Sequence, residues 1–467
     1  MKLLLYSLVC FSFFANAQAP AKRIVLRNAN VIDIKTGKVL SGTSLVIESK
    51  RISALGKNIK MQTGDSVVDA TGKYVIPGLW DMHTHAFGKY EMAFPLLLAN
   101  GVTGIRNMHT TAENPMQLLA SIRKSLNDKT ILGPRLVANG QIVDGEPAYW
   151  PATYIVHDAA EARIAVDTLI RSGGDFIKVY SNLSRDAYFA IADECKKRDF
   201  PFEGHVPFSI TVEEAAMAGQ KSIEHFTGLI NASTAIEKEL MQEEVKAMRS
   251  QSDSIEDITF RHIIAAQDGQ KRTEVCRILA GRKVWQCPTL VVNEIGFDTL
   301  VINDPLVKKY MPASVYKSTL DMIKTITTES EAFFEISSKM SKLRFLLLQE
   351  MNKEGVPLLA GTDVGNPGLL YGFSLHQELA LYVKTGLTPL QALQTATINP
   401  AKFFSWEKDL GTVEKGKFAD LVLLDANPLI DIENTKKIFA VVANGRYLGR
   451  QSLDSLLAEV AVLARKN

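Results

Sequence analysis

The sequence predicts an α/β protein, a (β/α)8 TIM-type barrel with a small β-sandwich assembled from the two ends of the chain. Three observations point there. Short apolar runs alternate with helical stretches through the middle of the chain, and eight such runs can be counted. Runs of β-branched residues punctuated by turn formers occupy both ends. The ionisable residues within those apolar runs fall mostly toward the C-terminal ends, the face on which a barrel carries its chemistry. With 467 residues, 46% of them apolar, the chain can bury a large core and has length for one big domain and a smaller companion.

The first segment, residues 1–17, reads as a secretory signal. Lys2 supplies the positive start, Leu3 to Phe14 the apolar stretch, and Ala15-Asn16-Ala17 a small-x-small site that places cleavage before Gln18. The apolar run is shorter than the roughly 20 residues of a spanning helix, which disfavours an uncleaved anchor. Cys10 lacks a lipoprotein-type cleavage context. A periplasmic or secreted protein without stable membrane insertion after cleavage is therefore expected.

Residues 18–75 alternate short strands with turns at Thr36-Gly37 and Ser41-Gly42, and form the N-terminal part of the sandwich. Residues 406–467 supply its C-terminal part and a final helix. Between them, residues 76–405 make the barrel. Its first strand begins in the end segment, and the eight candidate strands lie at 75–85, 102–108, 134–143, 176–180, 202–206, 222–226, 284–292 and 357–363. Eight parallel units of this total length favour a closed barrel over an open doubly wound sheet. Two stretches, 230–280 and 293–350, exceed what a plain barrel requires and read as inserted helices.

Lys and Arg total 53 against 51 Asp and Glu, a formal charge of +2, so nothing attracts nucleic acid or an anionic membrane; the expected partner is a small molecule, and a homo-oligomer is left open. Cys195, Cys276 and Cys287 show no C-x-x-C spacing and read as buried thiols.

The chemistry gathers at strand ends. His83 and His85 stand two apart, so their side chains share a face and two imidazoles converge. Lys178 sits inside the apolar run Phe176-Ile177-Lys178-Val179, where an unpaired ammonium is costly. Either a barrel carboxylate pairs with it, or CO₂ converts it to a carbamate, an anionic ligand able to bridge two cations. His205, His225 and Asp363 end three further strands. Lone histidines on apolar strands are usually satisfied core residues, but this many at one rim point to a metal site. Imidazole plus hard oxygen ligands suit Zn²⁺ best, with Mn²⁺, Co²⁺ and Fe²⁺ as alternatives.

V-I-P-G-L-W-D-M-H-T-H (75–85), F-I-K-V-Y, G-H-V-P, I-E-H-F and L-A-G-T-D-V-G, with S-L-H-Q-E-L (374–379), 386–401 and 411–422, resemble the amidohydrolase superfamily, in particular its imidazolonepropionase-like and prolidase-like (Xaa-Pro dipeptidase type) members. The resemblance spans almost the whole mature chain. It implies two divalent metal ions: one held by His83, His85, Lys178 and Asp363, the other by Lys178, His205 and His225, with Lys178 carboxylated and bridging. It also implies cleavage of a C–N bond in an amide, dipeptide or cyclic amide by a metal-bridging hydroxide, with Asp363 as general acid/base.

Substrate contacts are expected from Tyr180, Asn182 and His109. The segment after Lys178 and the pair Arg106-Asn107 depart from the family pattern, so a dipeptidase-type contact to a substrate carboxylate is not carried over. His157 and His262 read as solvated, Trp80 as core between barrel and sandwich, and His376 as structural, oriented by Glu378. Competing readings are phosphoester or lactone hydrolysis at the same centre and a non-catalytic binding relative. A deaminase is less favoured, because those relatives generally bind one metal and lack the modified lysine.

Overall fold

Five short strands open the described chain: β1 (Arg23–Ile32), β2 (Val39–Glu48), β3 (Arg51–Gly56), β4 (Ser66–Asp69) and β5 (Tyr74–Pro77). The computed structural model describes residues 23–250, 253–295 and 301–466. The signal segment, its cleavage point and Cys10 lie outside the described residues. β1 serves several partners because it is bent: its register with β2 shifts between Leu26 and Ala29, and Asn28 between them has φ +61°. Its first half pairs with β4 and its second half with β5, both in parallel.

The expected strand at 75–85 is two strands. β5 ends at Pro77, and β6 (Leu79–Thr84) starts one residue later. Between them Gly78 passes so close to Thr103 that a Cβ would fall 2.0 Å from its Oγ1, so only glycine lets the chain leave one sheet for the other here.

β6, β7 (Val102–Asn107) and β8 (Arg135–Ala138) form a parallel three-stranded sheet. A second sheet has the order β10-β9-β11-β12-β13-β14, from β9 (Ile142–Asp144), β10 (Tyr154–Ile155), β11 (Ile177–Val179), β12 (Phe202–Gly204), β13 (Ser222–Glu224) and β14 (Trp285–Cys287). All its pairings are parallel. The expected strand 134–143 thus divides at 139–141 between the two sheets. The run at 284–292 stops at Cys287, because Thr289 takes φ +48° and a helix, Leu290–Ile295, begins.

The run 357–363 is not a regular strand. It touches its neighbours through single residues: the Leu359 amide donates to the Gln286 carbonyl (2.8 Å) and the Met82 amide to the Ala360 carbonyl (2.9 Å). On the other side the Asp175 amide donates to the Ala138 carbonyl at 3.0 Å.

The last strands, β15 (Leu421–Leu424), β16 (Ile438–Ala443) and β17 (Arg446–Gly449), return to the start of the chain. The end sheet has the order β17-β16-β15-β5-β1-β2-β3, with β4 beside β1. The antiparallel pairing of β15 with β5 joins the two ends, and the Ile52 amide donates to the Lys417 carbonyl (2.9 Å), so the sheet curls toward its own far edge. Inside lies an apolar core that includes Leu26, Val31, Leu45, Ile47, Leu421, Leu423 and Val442.

Helices occupy both insert regions, among them Glu237–Ser250, Gly269–Arg282, Ala313–Thr327 and Glu331–Glu354. The C-terminal helix Arg450–Lys466 packs through Val460 and Ala461 against Met92 and Leu96 of helix Tyr90–Ala99, while its first turn lies against the end sheet, where Arg450 donates to the Ile438 carbonyl (3.0 Å). Cys195, Cys276 and Cys287 are free and buried. Among the described residues no helix is long and apolar enough to cross a membrane.

Candidate metal centre

Each of the six residues that the resemblance implies as ligands sits on or just after a parallel strand or the bridging run. His83 is in β6 with His85 just past it, Lys178 is central in β11, His205 and His225 follow β12 and β13 by one residue, and Asp363 ends the run 357–363. Two of them have unusual backbones: φ is +58° at His225 and +57° at Asp363. Non-glycine residues in this region cost on the order of 1 kcal/mol or more. Neighbouring carbonyls hold both, with the His225 amide donating to Cys287 (3.0 Å) and the Asp363 amide to His83 (2.8 Å).

The side chains converge. One nitrogen each of His83 and His225 and an Asp363 oxygen lie within 4.8 Å of one another. Asp363 Oδ1 is 2.8 Å from His85 Nε2 and 3.3 Å from His83 Nε2. The His205 and His225 rings stand 5.2 Å apart, centroid to centroid.

In all four histidines Nδ1 is engaged elsewhere: with Glu224 Oε2 (2.7 Å) for His83, the His109 carbonyl oxygen (3.3 Å) for His85, Ser181 Oγ (2.9 Å) for His205, and Thr289 Oγ1 (2.6 Å) for His225. Such partners fix ring orientation and tautomer in metal sites. Since Glu224 accepts the Nδ1 proton of His83, Nε2 is left as a bare lone pair, fully buried and without a hydrogen-bond partner, facing a carboxylate oxygen. Two acceptors face each other there, an arrangement that a cation between them would satisfy, so the donor set fits a divalent metal.

Lys178 is buried, and its ammonium makes no hydrogen bond or ion pair with a described residue. Burial brings its ammonium down to about 8, against the pull of Asp363 and Glu224. The unprotonated amine is the form that reacts with CO₂, and the downward shift enlarges its share. Burial likewise keeps the imidazoles of His83, His205 and His225 neutral, the form that binds metal.

Beneath the imidazoles lies a layer of buried charge that the sequence reading missed. Arg106, fully buried, donates to both oxygens of Glu224 (2.9 Å each) and to Ser222 Oγ (2.9 Å), and pairs with Glu203 at 3.0 Å. Ser222 also donates to Glu224 (2.5 Å). Ser222 and Glu224 share a face of β13 by strand alternation, and that alternation was the available signal. On the other flank Asp81 accepts from the Thr362 hydroxyl (2.7 Å) and amide (3.0 Å), which fixes the residue before Asp363.

One wall of the site is aromatic. Tyr180 stacks on His205 with centroids 3.9 Å apart, and its hydroxyl oxygen accepts from Trp150 Nε1 (2.8 Å). His109 is buried, its ring 4.3 Å from that of His85 and 5.7 Å from that of Trp150. Asn182 is engaged elsewhere, for its side-chain amide donates to the Pro147 carbonyl (2.8 Å) and ties down the loop that carries Trp150.

Glu378 does not orient His376. It accepts from the Leu290 and Val291 amides, while His376 bonds to Thr435 Oγ1 and the Asn100 carbonyl. His157 and His262 are exposed beside Glu161 and Glu243, and Trp80 packs against Phe404 and Trp406.

Residues 74–448 match the amidohydrolase family. The ochratoxinase of Aspergillus niger is 24% identical over 89% of this chain and 84% of its own length. Among solved structures, a bottromycin amidohydrolase superposes with a TM-score of 0.75 at 22% identity, covering 95% of this chain and 91% of the other. A Xaa-Pro dipeptidase with bound methionine in its active site gives 0.66 at 20% identity, covering 91% of this chain and 100% of the other.

Proposed function

Because the chain belongs to the amidohydrolase family, acting on small molecules through C–N bond hydrolysis, we propose that its substrate is an amide, a dipeptide or a cyclic amide and that its centre holds two divalent ions, Zn²⁺ by preference. The observation that carries this reading is the set of four imidazoles whose Nδ1 atoms are all engaged, with His83 Nε2 bare against Asp363.

His83, His85 and Asp363 would hold one ion, His205 and His225 the other, and Lys178 as a carbamate would contribute to both. When bound, such ions supply Lewis acidity toward a carbonyl and toward water. The chain's own groups do the rest. Asp363, whose carboxyl is pushed up by burial but held below its usual range by His225 and His85, takes the proton of the attacking water and returns it to the departing amine. Tyr180, its oxygen lone pair already engaged by Trp150, keeps its proton free to donate to the substrate carbonyl. His109, neutral by burial, offers a second contact. Asn182 acts through the loop it anchors.

The backbone bonds on both sides of the run 357–363 support reading the two parallel sheets as one closed eight-stranded barrel, with a β-sandwich built by the chain ends. The N-terminal segment supports periplasmic or secreted placement, which N-terminal sequencing of the mature protein tests.

The decisive experiment measures metal content by mass spectrometry for the wild type and Lys178→Ala, beside a hydrolysis screen of dipeptides and N-acyl amino acids. Two metals per chain, falling together with activity in the variant, support the reading. A wild type that stays metal-free and inactive after Zn²⁺ and bicarbonate reconstitution overturns it.

A further inference from the structure

Asp144 closes β9, fully buried, on the side where the metal residues stand, yet the chemistry proposed above gives it no part. Its direction follows from the register with β11. Ile142 lies opposite Lys178 and Val143 opposite Val179, and the two valines join the apolar core shared with Leu169 and Ile191 of the flanking helices. By alternation Asp144 points the other way, inward, on the face that carries Lys178 and Tyr180.

There a single carboxylate oxygen joins two loops. Asp144 Oδ1 accepts from the Gly145 amide (2.9 Å) and from the Asn182 amide (2.7 Å), the second bond reaching across to the loop after β11. The loops run so close that a Cβ on Gly145 would lie 2.2 Å from the Asn182 carbonyl oxygen. The segment held in this way supplies two contacts that orient His205: Tyr180 stacks on its ring, and Ser181 Oγ meets its Nδ1 at 2.9 Å. Asp144 Oδ2 is buried without a hydrogen-bond partner, and burial pushes the carboxyl up to about 7 against the pull of the Asn182 and Gly145 amides. Charge is thus a cost at this position, and the two accepted bonds are what the side chain contributes.

We propose that Asp144 is a positioning residue for His205. By holding the Asn182 amide it fixes where Tyr180 and Ser181 stand, and through them the direction in which His205 presents Nε2. The loop that begins at Asp144 thereby tunes the metal centre without touching metal. This deepens the hydrolase reading and rests on it for what His205 binds.

The test compares the wild type with Asp144→Ala, with Asp144→Asn, which keeps an oxygen for both amides, and with Gly145→Ala, which presses on the Asn182 carbonyl while leaving Asp144 intact. Zinc affinity is read by competition with a chelator, and ligand geometry by the visible spectrum of the cobalt-loaded chain. On the metal-free chain, nitrogen shifts of labelled histidine are resolvable because there are only eight, with His205 assigned by His205→Gln. In Asp144→Ala one of two zinc ions binds roughly 10- to 100-fold more weakly, the cobalt spectrum changes, and the His205 shifts move while those of His83, held by Glu224, stay. Gly145→Ala gives the same pattern, and Asp144→Asn recovers most of the affinity. Wild-type zinc affinity and unmoved His205 shifts in Asp144→Ala overturn the proposal, as do His83 shifts that move equally, which mark general loosening. Asp144→Asn as weak as Asp144→Ala also overturns it, since charge would then be the contribution. If the wild type binds no zinc the hydrolase reading fails by itself, and the metal-free His205 shifts still decide whether Asp144 positions that ring.

Discussion

The core of the end sheet and the interior of the parallel strands are both buried, yet they are filled in opposite ways. The core of the end sheet is wholly aliphatic, with Leu26, Leu45, Ile47, Leu421 and Leu423 among its members. The parallel strands instead enclose Arg106, Lys178, Glu203, Glu224, Asp81 and His83, none more than 2% exposed. Burying an aliphatic side chain stabilises by about 1.5–3 kcal/mol, whereas a buried ion pair often does no better than the apolar residues it displaces. The first region is built for stability, and the second gives up stability to hold imidazoles in one orientation. Left-handed backbone at His225 and Asp363 belongs to the same trade.

Breaking each region should therefore give different symptoms. The largest effect is expected from Asp363→Asn, which removes the proton acceptor while keeping the shape: amide hydrolysis drops by about 10³-fold or more, with a melting temperature unchanged or raised. Stopped assays paired with scanning calorimetry check this. Leu423→Ala in the end sheet does the converse, costing about 2–5 kcal/mol of stability in denaturant titrations while activity per folded molecule stays near wild type.

Glu224→Gln sits at the boundary between the two behaviours. It keeps a partner near His83 but loses the charge that fixes its tautomer, so zinc affinity, measured by competition with a chelator, falls roughly 10- to 100-fold. Glu224→Asp should recover part of it, and an altered visible spectrum of the cobalt-substituted variant would separate ligand orientation from loss of fold.

The smallest effect concerns pH. His376 lies buried away from the site, and burial lowers its imidazole to about 4 from an ordinary 6.5. The unfolded chain takes up this proton before the folded one does, so stability is full above 6.5 and is lost as pH falls toward 4. Between pH 6.5 and 5 the contribution amounts to about 2 kcal/mol. His376→Gln should flatten that part of the stability curve relative to wild type, and an unchanged slope would remove His376 from the account.

The placement of His85, His205, His225 and Asp363 was legible in the sequence because a parallel strand needs only a short apolar run, and the polar residue that follows stands out; His83 shares a face with His85, and Lys178 stands out as a charge inside such a run. The partners of those residues were harder to see. Glu224 adjoins His225 in the chain, and strict alternation would send the two to opposite faces. It is the left-handed turn at His225, imposed by the bond from its amide to Cys287, that lets both contribute to one centre. The break at Gly78 was hidden for a similar reason, since nothing local distinguishes it until Thr103 arrives from another strand. Asn182 stands out by its position after Lys178, but its amide answers to Pro147, far back in the sequence.

The pairing of β15 with β5 also sets an order of events in synthesis. Pro77 and Leu421 are register partners, and only Gly78 separates β5 from the strand that carries His83. A chain emerging from the ribosome can begin stacking its βα units, but β5 gains its antiparallel neighbour only when the last strands have been made. Truncation near the C-terminus would thus be felt at the opposite end of the sequence, as an unpaired strand edge immediately before His83 and His85.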